Sequence, residues 1–185
     1  MSPELQQRAA GIRLLILDVD GVMTNGTVLT VPGPEGHMQE TKGFHSHDGI
    51  ALQWLVHNGI QTGLISGRTS KATEIRAHQL GMTYVYEGRL EKLPVLEEIM
   101  LRSDLAASRI AYAGDDLVDI PIMRRVGLAF APANARPEVK KAAHYVTAAA
   151  GGEGAVREMA EILLQASDAW NAILKRYDAD GGEAD

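Results

Sequence analysis

Residues 14–24 read Leu-Leu-Ile-Leu-Asp-Val-Asp-Gly-Val-Met-Thr. The first four form an uninterrupted apolar run of strand length, which Arg13 precedes and Gly21 soon follows. An apolar run bounded by polar and turn residues is typical of a strand that is buried on both faces. It therefore indicates a strand inside a parallel sheet, and it places Asp18 and Asp20 at the end of that strand.

The same pattern recurs along the chain. Residues 61–65 and 109–113 are strand candidates that end in Ser66-Gly67 and in Gly114-Asp115-Asp116, and shorter candidates are 83–86, 128–131 and 145–147. Helical spacing of apolar residues fills the gaps and predicts helices over 50–56, 70–80, 90–101, 119–126 and 155–174, the last as one helix or two. Alternating strands and helices predict an α/β fold, a three-layer Rossmann-like parallel sheet.

The stretch 26–43 interrupts this alternation. Two β-prone segments flank a Pro/Gly-rich turn there, which predicts a short β-hairpin insertion. The insertion is too short to be a second domain, so we expect a single domain over residues 1–176 with no cap domain. Residues 177–185 are acidic and glycine-rich, and we predict a disordered tail.

Composition narrows the classes of function. The chain has 185 residues, which fits one domain, and 18 Lys and Arg against 24 Asp and Glu give a net charge of −6. A negative chain is a poor partner for nucleic acid or an anionic membrane, so we expect neither, although a local pocket can still bind a small phosphorylated substrate. Cysteine is absent, which excludes disulfides, thiolate-bound zinc, iron–sulfur clusters and thiol catalysis.

The sequence also leads us to expect neither a membrane span nor a signal peptide. It contains no run of about 18 apolar residues that could span a membrane. Residues 1–13 lack the apolar stretch and small-residue cleavage site of a signal peptide. Together with the absence of cysteine, which fits a reducing compartment, this predicts a cytoplasmic protein.

Polar residues collect where the predicted strands end. Because ligands bind at the carboxyl ends of parallel strands, Asp18 and Asp20, Ser66-Gly67-Arg68, and the acidic run 114–119 should lie near one another. Converging carboxylates repel each other and stay ionised when a cation lies among them. Oxygen ligands without cysteine suit Mg²⁺.

The same residue types fit phosphoryl transfer. A carboxylate such as Asp18 can act as a nucleophile and form an aspartyl phosphate. A hydroxyl (Ser66) and an ammonium (Lys92) can hold the oxygens of the transferring group, which needs mainly positioning and charge neutralisation. A receiver-type signalling domain uses similar groups, but Asp20, two residues after the candidate nucleophile, favours an acid and base that completes hydrolysis.

Four ordered motifs carry a family resemblance. Asp18-x-Asp20-Gly21-Val22-x-Thr24, Ser66-Gly67-Arg68, Lys92 and Gly114-Asp115-Asp116-x-x-Asp119 resemble those of the haloacid dehalogenase superfamily of phosphohydrolases. A finer resemblance is to its small capless phosphatases that act on 3-deoxy-D-manno-octulosonate 8-phosphate. It rests also on Asp48-Gly49-Ile50, on Pro121-x-Met123, on Val126-Gly127-Leu128 and on Gly151-Gly152-x-Gly154-Ala155-Val156-Arg157-Glu158, and it spans roughly residues 12–166.

The resemblance implies a role for each matching residue. Asp18 would be the nucleophile and Asp20 the general acid and base. Metal ligands would be Asp18, the Asp20 backbone carbonyl and Asp115, with Asp116 and Asp119 in support. The phosphoryl group would contact Ser66, Gly67 and Lys92, and the rest of the substrate would contact Arg68, His47 and Asp48. It also implies Mg²⁺ as the cofactor and a homotetramer in which the hairpin packs against its copies.

Three positions depart from the family pattern. His47 and Glu153 stand where relatives usually or often carry arginine, and Glu91 stands where asparagine is common. Two of these positions border the presumed sugar-acid site. The substrate therefore stays open between the eight-carbon acid phosphate, a nine-carbon sialic-type acid phosphate and another small sugar phosphate. A non-catalytic binding protein that keeps the motifs is a further alternative.

Overall fold

The computed structural model describes residues 1–33 and 36–180. The strands are β1 (Leu14–Leu17), β2 (Leu29–Pro32), β3 (Met38–Thr41), β4 (Gln61–Ile65), β5 (Tyr84–Tyr86), β6 (Ile110–Ala113), β7 (Leu128–Ala131) and β8 (Tyr145–Val146). The helices are α1 (Pro3–Ala10), α2 (Ser46–His57), α3 (Lys71–Gln79), α4 (Leu93–Ser103), α5 (Ile120–Met123), α6 (Pro137–Ala142), α7 (Ala155–Ala166) and α8 (Ala169–Arg176).

Six strands form one parallel sheet in the order β5-β4-β1-β6-β7-β8. Strand β1 is central because it pairs with β4 on one side and with β6 on the other. All four of its side chains are fully buried: Leu15 and Leu17 face one core and Leu14 and Ile16 face the other. The chain changes direction across the sheet at β1, which is where a parallel sheet opens a ligand crevice at its carboxyl edge.

Helices cover both faces of the sheet. Helices α1, α2, α3 and α7 contribute buried residues to the core on one face, and α4, α5 and α6 contribute to the core on the other. The predicted three-layer α/β fold is therefore confirmed. Among the described residues no separate cap domain stands over the carboxyl edge of the sheet, and no helix is both long and apolar enough to cross a membrane.

The structure decides between the two predictions for residues 155–174 and adds two helices. The segment forms two helices, because Asp168 adopts a left-handed backbone with φ of 59° between α7 and α8. Helices α1 and α6 were not predicted, since α1 buries only Leu5 and Ala9 and α6 buries only Val139, too few apolar positions to show a period.

The predicted helix 119–126 is shorter than expected. Only residues 120–123 are α-helical, after a tight turn over Leu117–Asp119. The N–H of Arg125 bonds to the carbonyl of Ile122 at 2.8 Å, so the chain tightens into a turn before Gly127. The short helix leaves Asp119 at its start, with its side chain fully buried below the sheet edge.

Strands β2 and β3 form the predicted hairpin as an antiparallel pair separate from the main sheet. Its tip residues 34 and 35 lie outside the described residues. Large apolar side chains on this hairpin are exposed, namely Val28, Leu29, Val31 and Met38. An isolated two-stranded hairpin is only marginally stable in water. These exposed apolar side chains offer a surface through which packing against another surface would stabilise the hairpin.

Aromatic rings from α2 and from the C-terminal part of the chain cluster at Trp54, Trp170 and Tyr177, which we call the aromatic corner. The Arg157 guanidinium lies 4.3 Å from the ring centroid of Trp54 and 5.5 Å from that of Trp170. Tyr177 adds a third ring 6.0 Å from Trp54, beside a cavity of about 440 Å³ that Ala179 also lines. Of the tail predicted over 177–185, residues 177–180 are described and 181–185 lie outside the described residues.

Candidate active site

The chain leaves β1 through a tight turn over residues 19–23. The N–H of Thr24 bonds to the carbonyl of Val19 at 3.0 Å and closes the turn. Gly21 has φ of +90°, and a β-carbon built on it would lie 2.0 Å from Oδ2 of Asp115. Only glycine fits here, because the conformation is left-handed and the Asp115 carboxylate occupies the space of a side chain.

The loop 151–154 packs closely against this turn. A β-carbon on Gly151 would lie 1.9 Å from the carbonyl oxygen of Gly21. The Asn134 side chain links the two segments, since Nδ2 donates to the Gly21 carbonyl at 2.9 Å and Oδ1 accepts from the Gly151 N–H at 2.7 Å. The sequence did not predict this role of Asn134, because an asparagine after a strand is typical of an ordinary turn.

Three carboxylates meet beside the turn. One oxygen from each of Asp18, Asp115 and Asp119 lies within 4.8 Å of the others. Burial raises the pKa of Asp18 to about 6, which Lys92 partly opposes, and burial together with Asp18 and Asp119 raises the pKa of Asp115 to about 7. Clustered buried carboxylates hold protons unless a cation replaces them, and this oxygen set fits a small divalent cation.

Lys92 neutralises part of this cluster. Its Nζ lies 2.8 Å from Oδ1 of Asp18 and 2.7 Å from Oδ1 of Asp119. Burial opposes the charge of Lys92, but the two carboxylates prevail and raise its pKa. Lys92 is therefore a fixed positive charge next to Asp18, and its contact with a phosphoryl group stays a prediction.

Tyr112 completes the buried network and was not predicted. Its hydroxyl donates a hydrogen bond of 2.6 Å to Oδ1 of Asp119 and lies 3.2 Å from Nζ of Lys92. Burial and the Asp119 charge raise the pKa of Tyr112 well above its usual value, so it stays a neutral donor. In the sequence Tyr112 reads only as a β-prone residue within an apolar strand.

The acidic residues after β6 have different structural roles. Oδ2 of Asp119 accepts from the N–H groups of Asp115 and Asp116 at 3.0 and 3.1 Å and holds the loop in place. Asp116 is exposed, and its carboxylate accepts from the Leu117 N–H at 2.7 Å. Asp119, predicted as a supporting residue, thus also lies in the carboxylate cluster, whereas the Asp116 side chain caps the following turn.

The predicted phosphate loop follows β4. Ser66 is almost fully buried, and its Oγ accepts a hydrogen bond of 3.2 Å from the N–H of Arg68. Gly67 is half-buried, and a β-carbon there would lie 3.0 Å from Leu90. Because β4 is the direct neighbour of β1, this loop and the 19–23 turn share one edge of the sheet.

Asp20 lies in an ion network that the sequence did not predict. Lys42, just after β3, donates a hydrogen bond to Oδ1 of Asp20 and lies 3.1 Å from Oε1 of Glu40. The half-exposed Arg68 donates to Oε2 of Glu40, and its Nε lies 3.9 Å from Oδ2 of Asp20. The hydrogen bond from Arg68 and the nearby Lys42 ammonium hold the pKa of Glu40 below its usual value.

The other two predicted substrate contacts lie on α2. Oδ1 of the buried Asp48 accepts from the N–H of Arg157 at 2.8 Å and so helps to begin α7, while burial raises the pKa of Asp48. His47 is exposed, and its ring lies edge-on to that of His45 with centroids 5.0 Å apart. Substrate contacts by Asp48 and His47 stay predictions.

Comparison with known proteins decides the family. A sequence model of the haloacid dehalogenase-like hydrolases matches residues 73–159. The 3-deoxy-D-manno-octulosonate 8-phosphate phosphatase of Yersinia pestis is 42% identical over 168 residues, which are 91% of this chain and 88% of that protein. The chain belongs to the haloacid dehalogenase superfamily of hydrolases, with the octulosonate 8-phosphate phosphatases as relatives. It is a phosphatase, as the sequence predicted.

Solved structures of this superfamily share the fold. A probable YrbI-family phosphatase from Pseudomonas syringae superposes with a TM-score of 0.90 at 41% identity, over 95% of this chain and 98% of that chain. An octulosonate 8-phosphate phosphatase from Moraxella catarrhalis, in complex with magnesium, phosphate and the sugar acid, gives 0.89 at 33% identity, over 96% and 99%. Haloacid dehalogenase hydrolases are metal-dependent, and Asp18, Asp115 and Asp119 form an acidic cluster of the kind that can hold a metal ion.

Proposed function

We propose that this phosphatase is a Mg²⁺-dependent phosphomonoesterase that works through a phospho-aspartyl intermediate on Asp18. The observation that carries the proposal is the position of Asp18 at the centre of the sheet edge, with two further carboxylates within 4.8 Å and the Lys92 ammonium at 2.8 Å. A carboxylate flanked by a cation site and an ammonium can meet an anionic phosphoryl group without net repulsion.

Asp18 and Asp115 would hold the metal, together with the backbone carbonyl of Asp20, and Asp119 would support the site through its hydrogen bonds to Lys92 and to the loop after β6. The metal, when bound, supplies positive charge that offsets the charge of the phosphoryl oxygens in the transition state. Lys92 supplies a second positive charge, and Ser66 supplies a hydroxyl from the neighbouring strand end. These groups bind and orient the phosphoryl group, which is the main demand of this chemistry.

The chain's own residues then carry out two steps. In the first, an Asp18 carboxylate oxygen bonds to phosphorus while the bond from phosphorus to the substrate's ester oxygen breaks, and Asp20 gives its proton to that oxygen. In the second, Asp20 accepts a proton from water as the water oxygen bonds to phosphorus, which releases phosphate and restores the Asp18 carboxylate. One carboxyl thus serves as acid and then as base.

The proposed substrate is 3-deoxy-D-manno-octulosonate 8-phosphate. Support comes from the relatives that carry this activity in their names at 40–42% identity over about 90% of the chain. Arg68 offers a half-exposed guanidinium at the mouth of the site, which suits the carboxylate of a sugar acid. His47 stands where relatives usually carry an arginine beside the presumed sugar-acid site. A nine-carbon sialic-type acid phosphate is therefore the alternative substrate to compare.

We also propose that the protein forms a homotetramer through its hairpins. The exposed apolar side chains Val28, Leu29, Val31 and Met38 support this, because exposed apolar patches mark interaction sites. The resemblance to capless phosphatases, whose hairpins pack against their copies, names a second copy of this chain as the occupant.

The deciding experiment is phosphate release with Mg²⁺ over a panel of sugar phosphates that includes the eight- and nine-carbon acids, with EDTA as the control. Strong preference for the eight-carbon acid, lost in EDTA, supports the proposed substrate and the metal requirement. Activity on other sugar phosphates alone keeps the chemistry and overturns the substrate. Turnover that persists in EDTA overturns the metal requirement, and silence across the panel counts against the proposed function.

A further inference from the structure

We infer that Lys42, delivered by the hairpin, is a positioning residue for Asp20 in the phosphatase reaction. The inference rests on the proposed function, because that function assigns the proton transfer to Asp20. It gives the hairpin a part in the chemistry of its own subunit, beyond any role in assembly.

The Lys42 side chain is buried and is held in place by two acidic side chains. Its side chain is only 2% exposed, although lysine side chains usually reach into water. Its ammonium donates to Oδ1 of Asp20 and lies 3.1 Å from Oε1 of Glu40. A buried ammonium that is held between two acidic side chains has few other positions, so it also fixes the Asp20 carboxyl group that it touches.

Two further side chains complete this arrangement. Arg68 pairs with Oε2 of Glu40 and approaches Oδ2 of Asp20 to 3.9 Å. Two basic and two acidic side chains therefore alternate around a ring. The ring joins three segments, namely the 19–23 turn, the end of β3 and the loop after β4, so the position of Asp20 depends on all three.

Asp20 needs such support from outside its own turn. The backbone at Asp20 is non-helical, with ψ of 115°, and the next residue is the left-handed Gly21. Proton transfer requires the carboxyl to lie within hydrogen-bond reach of the ester oxygen at the moment the bond to phosphorus breaks. A carboxyl that rotates freely meets this condition for a smaller fraction of the time.

The consequence depends on the leaving group. When the bond from phosphorus to a sugar oxygen breaks, that oxygen takes the proton of Asp20 and leaves as an alcohol. When p-nitrophenyl phosphate reacts, the phenolate leaves without needing a proton. Because kcat/KM reports the steps up to loss of the alcohol or phenol, a defect in positioning Asp20 appears in kcat/KM for the sugar phosphate alone.

The test compares Lys42→Met, which keeps the stem and removes the ammonium, with the wild-type enzyme. General acid catalysis contributes roughly 10²–10⁴-fold, so we expect kcat/KM for the preferred sugar phosphate of the panel to fall about tenfold or more. We expect less than about a threefold fall for p-nitrophenyl phosphate, and Lys42→Arg should recover part of the loss. The matched control is Lys71→Met, whose ammonium pairs with Glu74 on an exposed helix face.

A second comparison uses Asp20→Asn. If Lys42 acts through Asp20, then Lys42→Met should cause little further loss on the sugar phosphate in the Asp20→Asn background. Equal losses on both substrates, or no loss on either, would overturn the inference, as would a full additional loss in the double variant. If Lys42→Met melts below assay temperature, Lys42→Gln is compared in the same way. A wild-type enzyme that hydrolyses no phosphomonoester would instead overturn the proposed function.

Discussion

The Lys92 ammonium lies 2.8 Å from Oδ1 of Asp18, and both residues are buried, with 4% and 8% of their surfaces exposed. Asp119 shares the same ammonium at 2.7 Å. One cation therefore serves two carboxylates. The centre of the site is anionic even before Asp115 is counted, which makes it receptive to a divalent cation.

Replacement of Lys92 with methionine should lower stability and activity together. Removing one partner of a buried ion pair costs about 3–5 kcal/mol, because the remaining charge has no partner. Denaturant unfolding measures the loss, which should be smaller near pH 5 than near pH 8, because protonated carboxyls no longer need the ammonium. Lys71→Met is the matched control and should change the unfolding free energy by less than about 0.5 kcal/mol. A pH-independent loss would contradict this account.

Replacement of Asp18 with asparagine should abolish phosphate release and leave the fold intact. The amide has nearly the same shape but is a poor nucleophile, and it removes one negative charge from the cluster. The melting temperature should therefore hold or rise while turnover is lost. Phosphate release and a thermal melt of the same sample check this, and full activity in Asp18→Asn would overturn the nucleophile assignment.

Magnesium should stabilise the protein more at high pH than at low pH. The pKa values of Asp18 and Asp115, about 6 and about 7, lie above their usual value of 3.8, so the folded state holds protons there that the unfolded chain has released. In metal-free buffer these two groups therefore make the free energy of unfolding fall as the pH rises from 3.8, their usual pKa, to about 7. A divalent cation binds the deprotonated form, so its stabilising effect grows over the same window.

Thermal melts with and without MgCl2, at pH about 5.5 and about 8, measure this difference. Sodium chloride at matched ionic strength controls for screening of surface charges. An equal increase in melting temperature at both pH values would contradict a site built from Asp18 and Asp115.

Replacement of Gly21 with alanine should weaken metal binding. The new methyl group would stand 2.0 Å from Oδ2 of Asp115, so that carboxylate must move, and the left-handed backbone adds strain of about 1–3 kcal/mol. Gly59→Ala is the matched control, because Gly59 also has positive φ, +77°, but has no atom within 4 Å of its β-carbon. Magnesium titrations followed by melting temperature should show weaker binding in Gly21→Ala alone.

Lysine at Leu29 and Met38 should dissociate the proposed tetramer. Both side chains are exposed on the hairpin, at 51% and 61%, and charge there would be buried by assembly. Sedimentation should show the wild type near four times the protomer mass of 19.9 kDa and the double variant at a lower mass. Leu101→Lys, at an 85% exposed position on α4, is the control. A monomeric wild type would refute this proposal.

Much of the sheet and its acidic centre could be predicted because their signals are local. The apolar run before Asp18 and the glycine-bounded runs before Ser66 and Gly114 identify buried strands and their ends. Parallel strands then place those ends together without further information. The segment from β1 to the carboxylate cluster thus follows from the order of residues along the chain.

Sequence reasoning missed residues whose contacts depend on the packing of the fold. Lys42 follows an exposed hairpin whose direction no local pattern sets, and Tyr112 belongs to an apolar strand that hides its hydroxyl. The hydrogen bond from the Arg157 N–H to the Asp48 carboxylate, between residues 109 positions apart, was also not predicted, while the substrate contact of Asp48 stays a prediction. Such contacts depend on how the layers pack, which a one-dimensional pattern does not record.

The aromatic corner has a practical consequence for spectroscopy. Trp54 and Trp170 are the two tryptophans of the chain, and they lie 5.8 Å apart with the Arg157 guanidinium against both rings. Intrinsic tryptophan fluorescence therefore reports on whether α8 is docked. An emission change on adding a ligand would be a signal about the C-terminal helices, and a silent titration would carry no information about occupancy at the sheet edge.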